Sequence, residues 1–281
     1  MNKVGVIGGG TMGAGIAEIV ARAGDPVLVL ERDTASAVAA SERIDTSLAR
    51  AVKSGRLTQD AADAARGLIE VTLNLGDFAD RELVIEAAPE VEQVKVDFFT
   101  RLDDIVSDTT VLATNTSSIP VIRLANATSR PERVVGVHFF NPVPILPLVE
   151  IVVSLRTSED VVAAVTDYAA NRLVKKTIRS GDRAGFIVNA LLVPYLVSAI
   201  RMLESGFATA EDIDAGMVNG CAHPMGPLRL SDTVGLDVVL AVTESLYDEF
   251  REPQHAAPPM LRRMVEAGRL GRKSGRGIYS Y

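Results

Sequence analysis

The chain has only three histidines, His138, His223 and His255, and one of them stands where chemistry gathers. His138 opens the run HFFNP at the end of Val134–Phe139, an apolar stretch that reads as a strand. An unperturbed imidazole titrates near neutral pH, so such a residue can take a proton from an alcohol and return it. Glu150 lies inside a second apolar stretch, Leu148–Val153, where a carboxylate is costly unless paired. A strand-end imidazole beside a carboxylate that needs a partner is the pattern of a base with its orienting acid. Taken alone, His138 is equally well a capping or core histidine, and Glu150 is what shifts the balance. His223, in HPMGP, reads as a turn residue, and His255, in a proline-rich loop, as a solvated one. Ser117, in NTSS, offers a hydroxyl, although its spacing suits a helix N-cap just as well. Asn189, in FIVNALLV, is an amide among aliphatic side chains and needs a partner, across a cleft or on a substrate carbonyl.

These residues need a frame, and its most legible part is Lys3–Arg32. Val4–Ile7 reads as a buried strand. Gly8, Gly10 and Gly13 follow in G-x-G-x-x-G spacing. A helical period through Ile16, Ile19 and Val20 then closes at Gly24, and Val27–Leu30 forms a second strand that ends on Glu31. Strand, glycine turn, helix, strand and terminal acid together specify a dinucleotide site, which the glycine spacing alone would not. Gly8 allows the tight turn, Gly10 leaves room for a pyrophosphate, and Gly13 lets the helix approach the sheet. The helix N-terminus, around Thr11 and Met12, presents N–H groups to the phosphates. Glu31 would accept hydrogen bonds from the adenine ribose and repel a 2′-phosphate, which favours NAD. Its neighbour Arg32 softens that repulsion and keeps NADP open. The competing reading is an α/β domain that kept the turn without its ligand.

Beyond Glu31, Ala35–Ser54 and Thr58–Gly67 read as paired helices joined by KSGRL, long enough to form an arm projecting from the sheet. Lys53 and Arg56 near its tip are either a solvated basic end or a clamp on a phosphate-bearing group. Strands are expected at Ile69–Leu73, Leu83–Ala87, Thr110–Ala113, Val134–Phe139 and Leu148–Val153, with a helix over Val91–Val106. In doubly wound sheets ligands bind beyond the carboxyl ends of the strands, where Glu90, Asn115–Ser118 and His138–Asn141 fall. A hinge is expected at SGDRAGF. After it come apolar helices at Phe186–Leu203, Thr209–Asn219, Leu228–Phe250 and Pro258–Gly268, with a turn at Cys221–Pro227. The expected fold is an α/β Rossmann-like domain over residues 1–182, mostly parallel and carrying the helical arm, followed by an all-helical domain over residues 183–281. The apolar excess of the latter suggests that it buries a face against a second copy.

A formal net charge of −7 over 281 residues argues against nucleic acid as a partner. The single cysteine, Cys221, excludes an intrachain disulfide and a multi-cysteine metal site, and no metal is expected. No apolar run is long enough to span a bilayer, and a core strand begins within a few residues of the N-terminus. A cytoplasmic location is expected.

The runs GGGTMGAGIA, EAAPE, TNTSSIP, HFFNP, LVEI, GFIVN, HPMGP and LGRKSGRGIY stand in the order found in L-3-hydroxyacyl-CoA dehydrogenases. The chain resembles the short bacterial members of that family over essentially its whole length. The resemblance implies NAD-dependent oxidation of (S)-3-hydroxyacyl-CoA to 3-ketoacyl-CoA, or the reverse reduction, and a homodimer formed through the helical domain. It implies that His138 is the base and Glu150 its partner, and that Ser117 and Asn189 contact substrate. It also implies cofactor contacts at Glu90, Lys95, Asn115 and Lys273, and coenzyme A contacts at Ser47 and Lys53 on the arm. The chain departs from the family pattern at Ala184, where Pro is common, at Ala190, where Arg is common, and at Val197 and Ser198, which replace a polar pair. Those departures put the acyl-chain preference in doubt. A relative acting on a non-CoA 3-hydroxy acid or a carrier-protein thioester, and a non-catalytic cofactor-binding protein, are the competing readings.

Overall fold

One eight-stranded sheet, ordered β3-β2-β1-β4-β5-β6-β7-β8, organises the first part of the chain. The computed structural model describes residues 1–281 and divides into two compact units, Met1–Asp182 and Arg183–Tyr281. In the first unit β1 (Val4–Ile7), α1 (Thr11–Arg22), β2 (Val27–Leu30), α2 (Thr34–Lys53), α3 (Gln59–Gly67) and β3 (Ile69–Thr72) come first. They are followed by β4 (Leu83–Glu86), α4 (Glu92–Ile105), β5 (Val111–Thr114), α5 (Val121–Ala125), β6 (Val134–Phe139), β7 (Leu148–Val153), α6 (Glu159–Asp167) and β8 (Lys176–Gly181). Strands β1, β2, β4, β5 and β6 are buried along their whole length, which is why they read as continuous apolar runs rather than alternating ones.

All neighbouring strands are parallel except β6 and β7, which run antiparallel with His138 directly opposite Glu150. That register follows from the pleat. Val137 and Ile151 form the next pair and point to the other face. The glycine turn is equally constrained. Gly8 has φ +87°, and a Cβ on Gly13 would sit 1.7 Å from the Gly8 carbonyl oxygen. Only glycine permits so close an approach of α1 to the turn.

The helical pair does not simply project. Ala40, Ile44, Leu48 and Ala51 of α2 and Ala62 and Ala65 of α3 are buried, at helical spacing, and most of them join the core around α1. Asp33 and Thr58 cap the two helices by accepting the Ser36 and Ala61 N–H groups.

β8, which was not expected, ends at Gly181 just inside the expected hinge SGDRAGF, within which the two units meet in sequence at Asp182 and Arg183. Its polar residues Lys176 and Arg179 hide it from an apolar-pattern reading, and pairing with β7 along all six residues holds it in the sheet.

The second unit contains α7 (Val188–Glu204), α8 (Ala210–Cys221), α9 (Pro227–Val234), α10 (Leu236–Phe250) and α11 (Pro259–Glu266). Its core is built from residues such as Leu196, Val197, Ile200, Leu228, Val239, Leu246 and Leu261. Helix α7 begins later than the apolar pattern suggests, because Gly185 and Phe186 take φ +72° and +50° and cannot continue a right-handed helix backwards. The expected helix Leu228–Phe250 is two, broken by Gly235 at φ +105°. Thr209 caps α8 by accepting the Asp212 N–H, as the capping-box pattern requires. Asp214 accepts the Leu228 and Arg229 N–H groups at the start of α9, and Asp232 accepts those of Ile278 and Tyr279. Two of the unusual positions have local explanations. The Ala184 N–H, absent from a proline, donates to Glu249, and Val197 is a core residue at 1% exposure.

Candidate active site

The antiparallel pairing of β6 and β7 builds the centre of the site. His138 Nδ1 and Glu150 Oε2 lie 2.7 Å apart, with the carboxylate wholly buried and the imidazole 4% exposed. A carboxylate on Nδ1 fixes the ring orientation and places a proton on that nitrogen. The opposite nitrogen, Nε2, meets the Ser117 hydroxyl at 3.1 Å, and the Phe140 ring stands edge-on to the imidazole at 4.7 Å. Serine, histidine and glutamate thus form one continuous chain of hydrogen bonds. Its outer end is a hydroxyl whose hydrogen can rotate to donate or accept.

The loop carrying Ser117 is held from below. Glu90 Oε1 accepts the Thr116 hydroxyl at 2.5 Å, the Ser117 N–H at 2.8 Å, and the N–H and hydroxyl of Ser118 at 3.0 and 2.9 Å. Burial raises the Glu90 pKa, but the Lys95 charge and these donors outweigh it, and the carboxyl titrates below its usual range. Lys95, 1% exposed, donates to Glu86 at 2.7 Å and to the Ala88 carbonyl at 3.2 Å, and pairs with Glu90 at 3.2 Å. Those acceptors match all three ammonium protons. Lys95 therefore supports Glu90, and through it the loop that carries Ser117. Asn115 Oδ1 accepts the Phe139 N–H at 2.9 Å and ties the serine loop to the strand that bears His138. Buried Lys175 donates to the Val143 and Leu146 carbonyls at 2.6 and 2.7 Å, clamping the connection between β6 and β7.

The glycine turn fits a dinucleotide pyrophosphate. A Cβ on Gly10 would meet nothing within 4 Å, so space opens above the turn. Helix α1 starts at Thr11, followed by Met12, with no side chain capping its first N–H groups. Those groups can therefore meet an anion. Glu31, one residue past β2, accepts the Gly9 N–H at 2.6 Å through Oε1. Arg32 pairs with Asp33 at 3.0 Å, its side chain 85% exposed.

Ser47 is half-buried on α2, and Lys53 is exposed in the last turn of that helix. Asn189 and Lys273 belong to the helical unit. Asn189 lies in the first turn of α7, half-buried, and Lys273 Nζ pairs with Asp237 at 2.6 Å. The remaining histidines have local roles. His223 Nδ1 meets the Tyr195 hydroxyl at 3.1 Å, whereas His255 is not solvated but only 12% exposed along its side chain, beside Glu252 and Phe250.

Glu86, Lys175 and Arg43 were not singled out from the sequence. Glu86 carried a usable signal, a carboxylate closing the apolar strand LVIE, by the same rule that isolates Glu150 in LVEI. Lys175 and Arg43 lie in ordinary polar surroundings and carried none.

Residues 3–183 match the family described as 3-hydroxyacyl-CoA dehydrogenase, NAD binding domain, and residues 185–281 match 3-hydroxyacyl-CoA dehydrogenase, C-terminal domain. A Mycobacterium tuberculosis protein named 3-hydroxybutyryl-CoA dehydrogenase is 54% identical over 282 residues, spanning 100% of this chain and 99% of its own. The crystal structure of M. tuberculosis FadB2 superposes with a TM-score of 0.99 at 54% identity, covering 100% of this chain and 99% of that one. That of (S)-3-hydroxybutyryl-CoA dehydrogenase from Ralstonia eutropha gives 0.94 at 41% identity, covering 100% and 99%. No helix is long and apolar enough to cross a membrane.

Proposed function

The chain belongs to the 3-hydroxyacyl-CoA dehydrogenase family, and from that premise we propose that it interconverts a short-chain (S)-3-hydroxyacyl-CoA, of the 3-hydroxybutyryl-CoA class, and its 3-keto form. One observation carries the residue assignment. The Glu150–His138–Ser117 chain holds an imidazole nitrogen and a serine hydroxyl side by side at 3.1 Å, where a single substrate oxygen can meet both. Bound at the glycine turn, NAD supplies the hydride acceptor. His138 takes the hydroxyl proton in the oxidation and returns it to the ketone oxygen in the reduction. Glu150 stabilises the imidazolium that forms, and Ser117 holds the oxygen against Nε2. Glu90 and Asn115 fix the loop that presents Ser117. Asn189 is assigned to a substrate contact, Lys273 to a cofactor contact, and Ser47 and Lys53 to coenzyme A. Residues 1–182 serve the cofactor, and residues 183–281 serve substrate and dimer. Exposed Leu191 and Met202 of α7 and nearby Phe207 support a homodimer through the helical unit, which sedimentation at micromolar concentration tests.

Acetoacetyl-CoA reduction followed at the reduced-nicotinamide absorbance, with NADH and NADPH in parallel, tests the activity. Turnover with an NADH preference of at least about tenfold in kcat/KM is expected from Glu31. Turnover of a non-CoA 3-keto acid in preference to acetoacetyl-CoA would overturn the substrate assignment.

A further inference from the structure

The glycine turn has a second charged neighbour besides Glu31. Arg43 reaches from α2 and donates through Nη1 to the Gly9 carbonyl at 3.2 Å. The same Gly9 gives its N–H to Glu31, so one residue of the turn is held by an acid on one side and a cation on the other. Arg43 follows Ala40 by three residues on α2. Ala40 is the side chain that a Cβ on Gly9 would strike, at 2.4 Å, so this face of α2 is seated against the turn. Two nearby arginines are already paired with carboxylates, Arg32 with Asp33 and Arg66 with Asp45. Arg43 is exposed and has no carboxylate at salt-bridge distance, and a single carbonyl hydrogen bond leaves most of its five donors unspent.

We propose that Arg43 contacts a phosphate on the adenosine half of the bound dinucleotide and so sets how the protein treats NAD against NADP. The proposal rests on the reading that the glycine turn binds NAD. A guanidinium is suited to the task because its planar fork meets phosphate oxygens in pairs. Anchoring on Gly9 matters because Gly9 lies between the glycine that turns the chain and the one that leaves space above it. A cation fixed there stands beside the phosphates, whereas Arg32 is committed to Asp33. Glu31 and Arg43 then oppose each other, the carboxylate selecting free ribose hydroxyls and the guanidinium favouring phosphate.

Calorimetric titration of the whole chain with ADP-ribose, 2′-phospho-ADP-ribose, adenosine and coenzyme A, for the wild type, Arg43→Gln and Arg43→Lys, tests this without turnover. Arg43→Gln should weaken at least one ADP-ribose ligand by about tenfold or more, the scale of a hydrogen bond to a charged group. Adenosine should be unaffected, and Arg43→Lys should recover part of the loss. A larger loss for the 2′-phosphorylated ligand is expected, whereas equal losses for both would place the contact at the pyrophosphate and overturn the role in telling NAD from NADP. Unchanged affinities for both ligands, or a loss confined to coenzyme A, would overturn the proposal. A wild type that binds no ADP-ribose would overturn the dinucleotide reading itself. Thermal melts of all three proteins verify that each titrated sample is folded.

Discussion

Two carboxylates in this sheet look alike and do different work. Glu150 in LVEI and Glu86 in LVIE are both wholly buried in apolar strands, and each is 2.7 Å from a basic side chain. Glu86 faces Lys95, whose protons are all matched to fixed acceptors. Glu150 faces His138, whose other nitrogen meets a rotatable hydroxyl. Buried charge therefore does not by itself mark a reacting centre. In the proposed mechanism the distinguishing feature is a group able to exchange a proton at one end while held firmly at the other. The Glu86–Lys95–Glu90 cluster is closed and holds the serine loop, whereas the dyad ends in that loop and can act on what it holds.

The largest expected effect tests the reacting half of this contrast. His138→Gln should lower kcat by about 10² to 10⁴, the usual worth of general acid–base catalysis, with little change in ADP-ribose affinity. Its urea midpoint should stay near that of the wild type, because a polar side chain of similar reach remains opposite Glu150. A kcat within threefold of wild type would remove His138 from the proton-transfer role.

Lys95→Met tests the closed half. It leaves Glu86 and Glu90 without their shared cation, and breaking a buried pair in this way costs about 3–5 kcal/mol. Burial already holds the Glu86 pKa above its usual value, against the opposing pull of Lys95, and losing that lysine raises it further. A carboxyl with a raised folded pKa gives stability that is full below the unfolded pKa and is lost as pH rises through the folded one. The damage from Lys95→Met should therefore be greater at pH 8 than at pH 5, as urea denaturation at the two values would reveal. Equal damage at both would mean that Glu86 carries no such titration.

A smaller test concerns the unity of the dyad. Glu150→Gln should slow turnover, since the charge that stabilises the imidazolium formed during the reaction is gone. With His138 already replaced, removing Glu150 should cost no more than about threefold further in kcat. Losses that multiply would show independent action and dissolve the pair.

The half of the molecule that was legible in advance is the half built by local rules. The turn at Gly8–Gly13, the strand ends, Glu31 and Glu150 each announce themselves through glycine spacing or a polar residue in an apolar run. β8 was missed because its partner strand, not its own pattern, makes it a strand. Arg43 was missed because its meaning comes from Gly9, which α2 reaches only in the fold. The tilt of α2 and α3 onto α1 likewise depends on the buried face at Ala40, Ile44 and Leu48, which an arm drawn as a free projection ignores. The resemblance drew attention to Lys95. Only the fold reveals that its protons are spent on Glu86, Ala88 and Glu90.

The smallest expected effect separates the two regions by pH. Glu90 is the one carboxylate that belongs to both, pairing with Lys95 below and holding the Ser117 and Ser118 N–H groups above. Its pKa is lowered because the Lys95 charge and the loop donors together outweigh the cost of burial. A lowered carboxyl gives stability that is present above its unfolded pKa and disappears as pH falls through the folded one. With its side chain 35% exposed, much of that effect is screened by solvent, so the size stays modest. Glu90→Gln should accordingly flatten the acid limb of the stability profile below about pH 4.5, the carboxyl range, while costing stability at neutral pH. His138→Gln should leave that limb unchanged. If both variants alter it alike, the serine loop and the dyad titrate as one region, and the division between a closed support and a reacting centre fails.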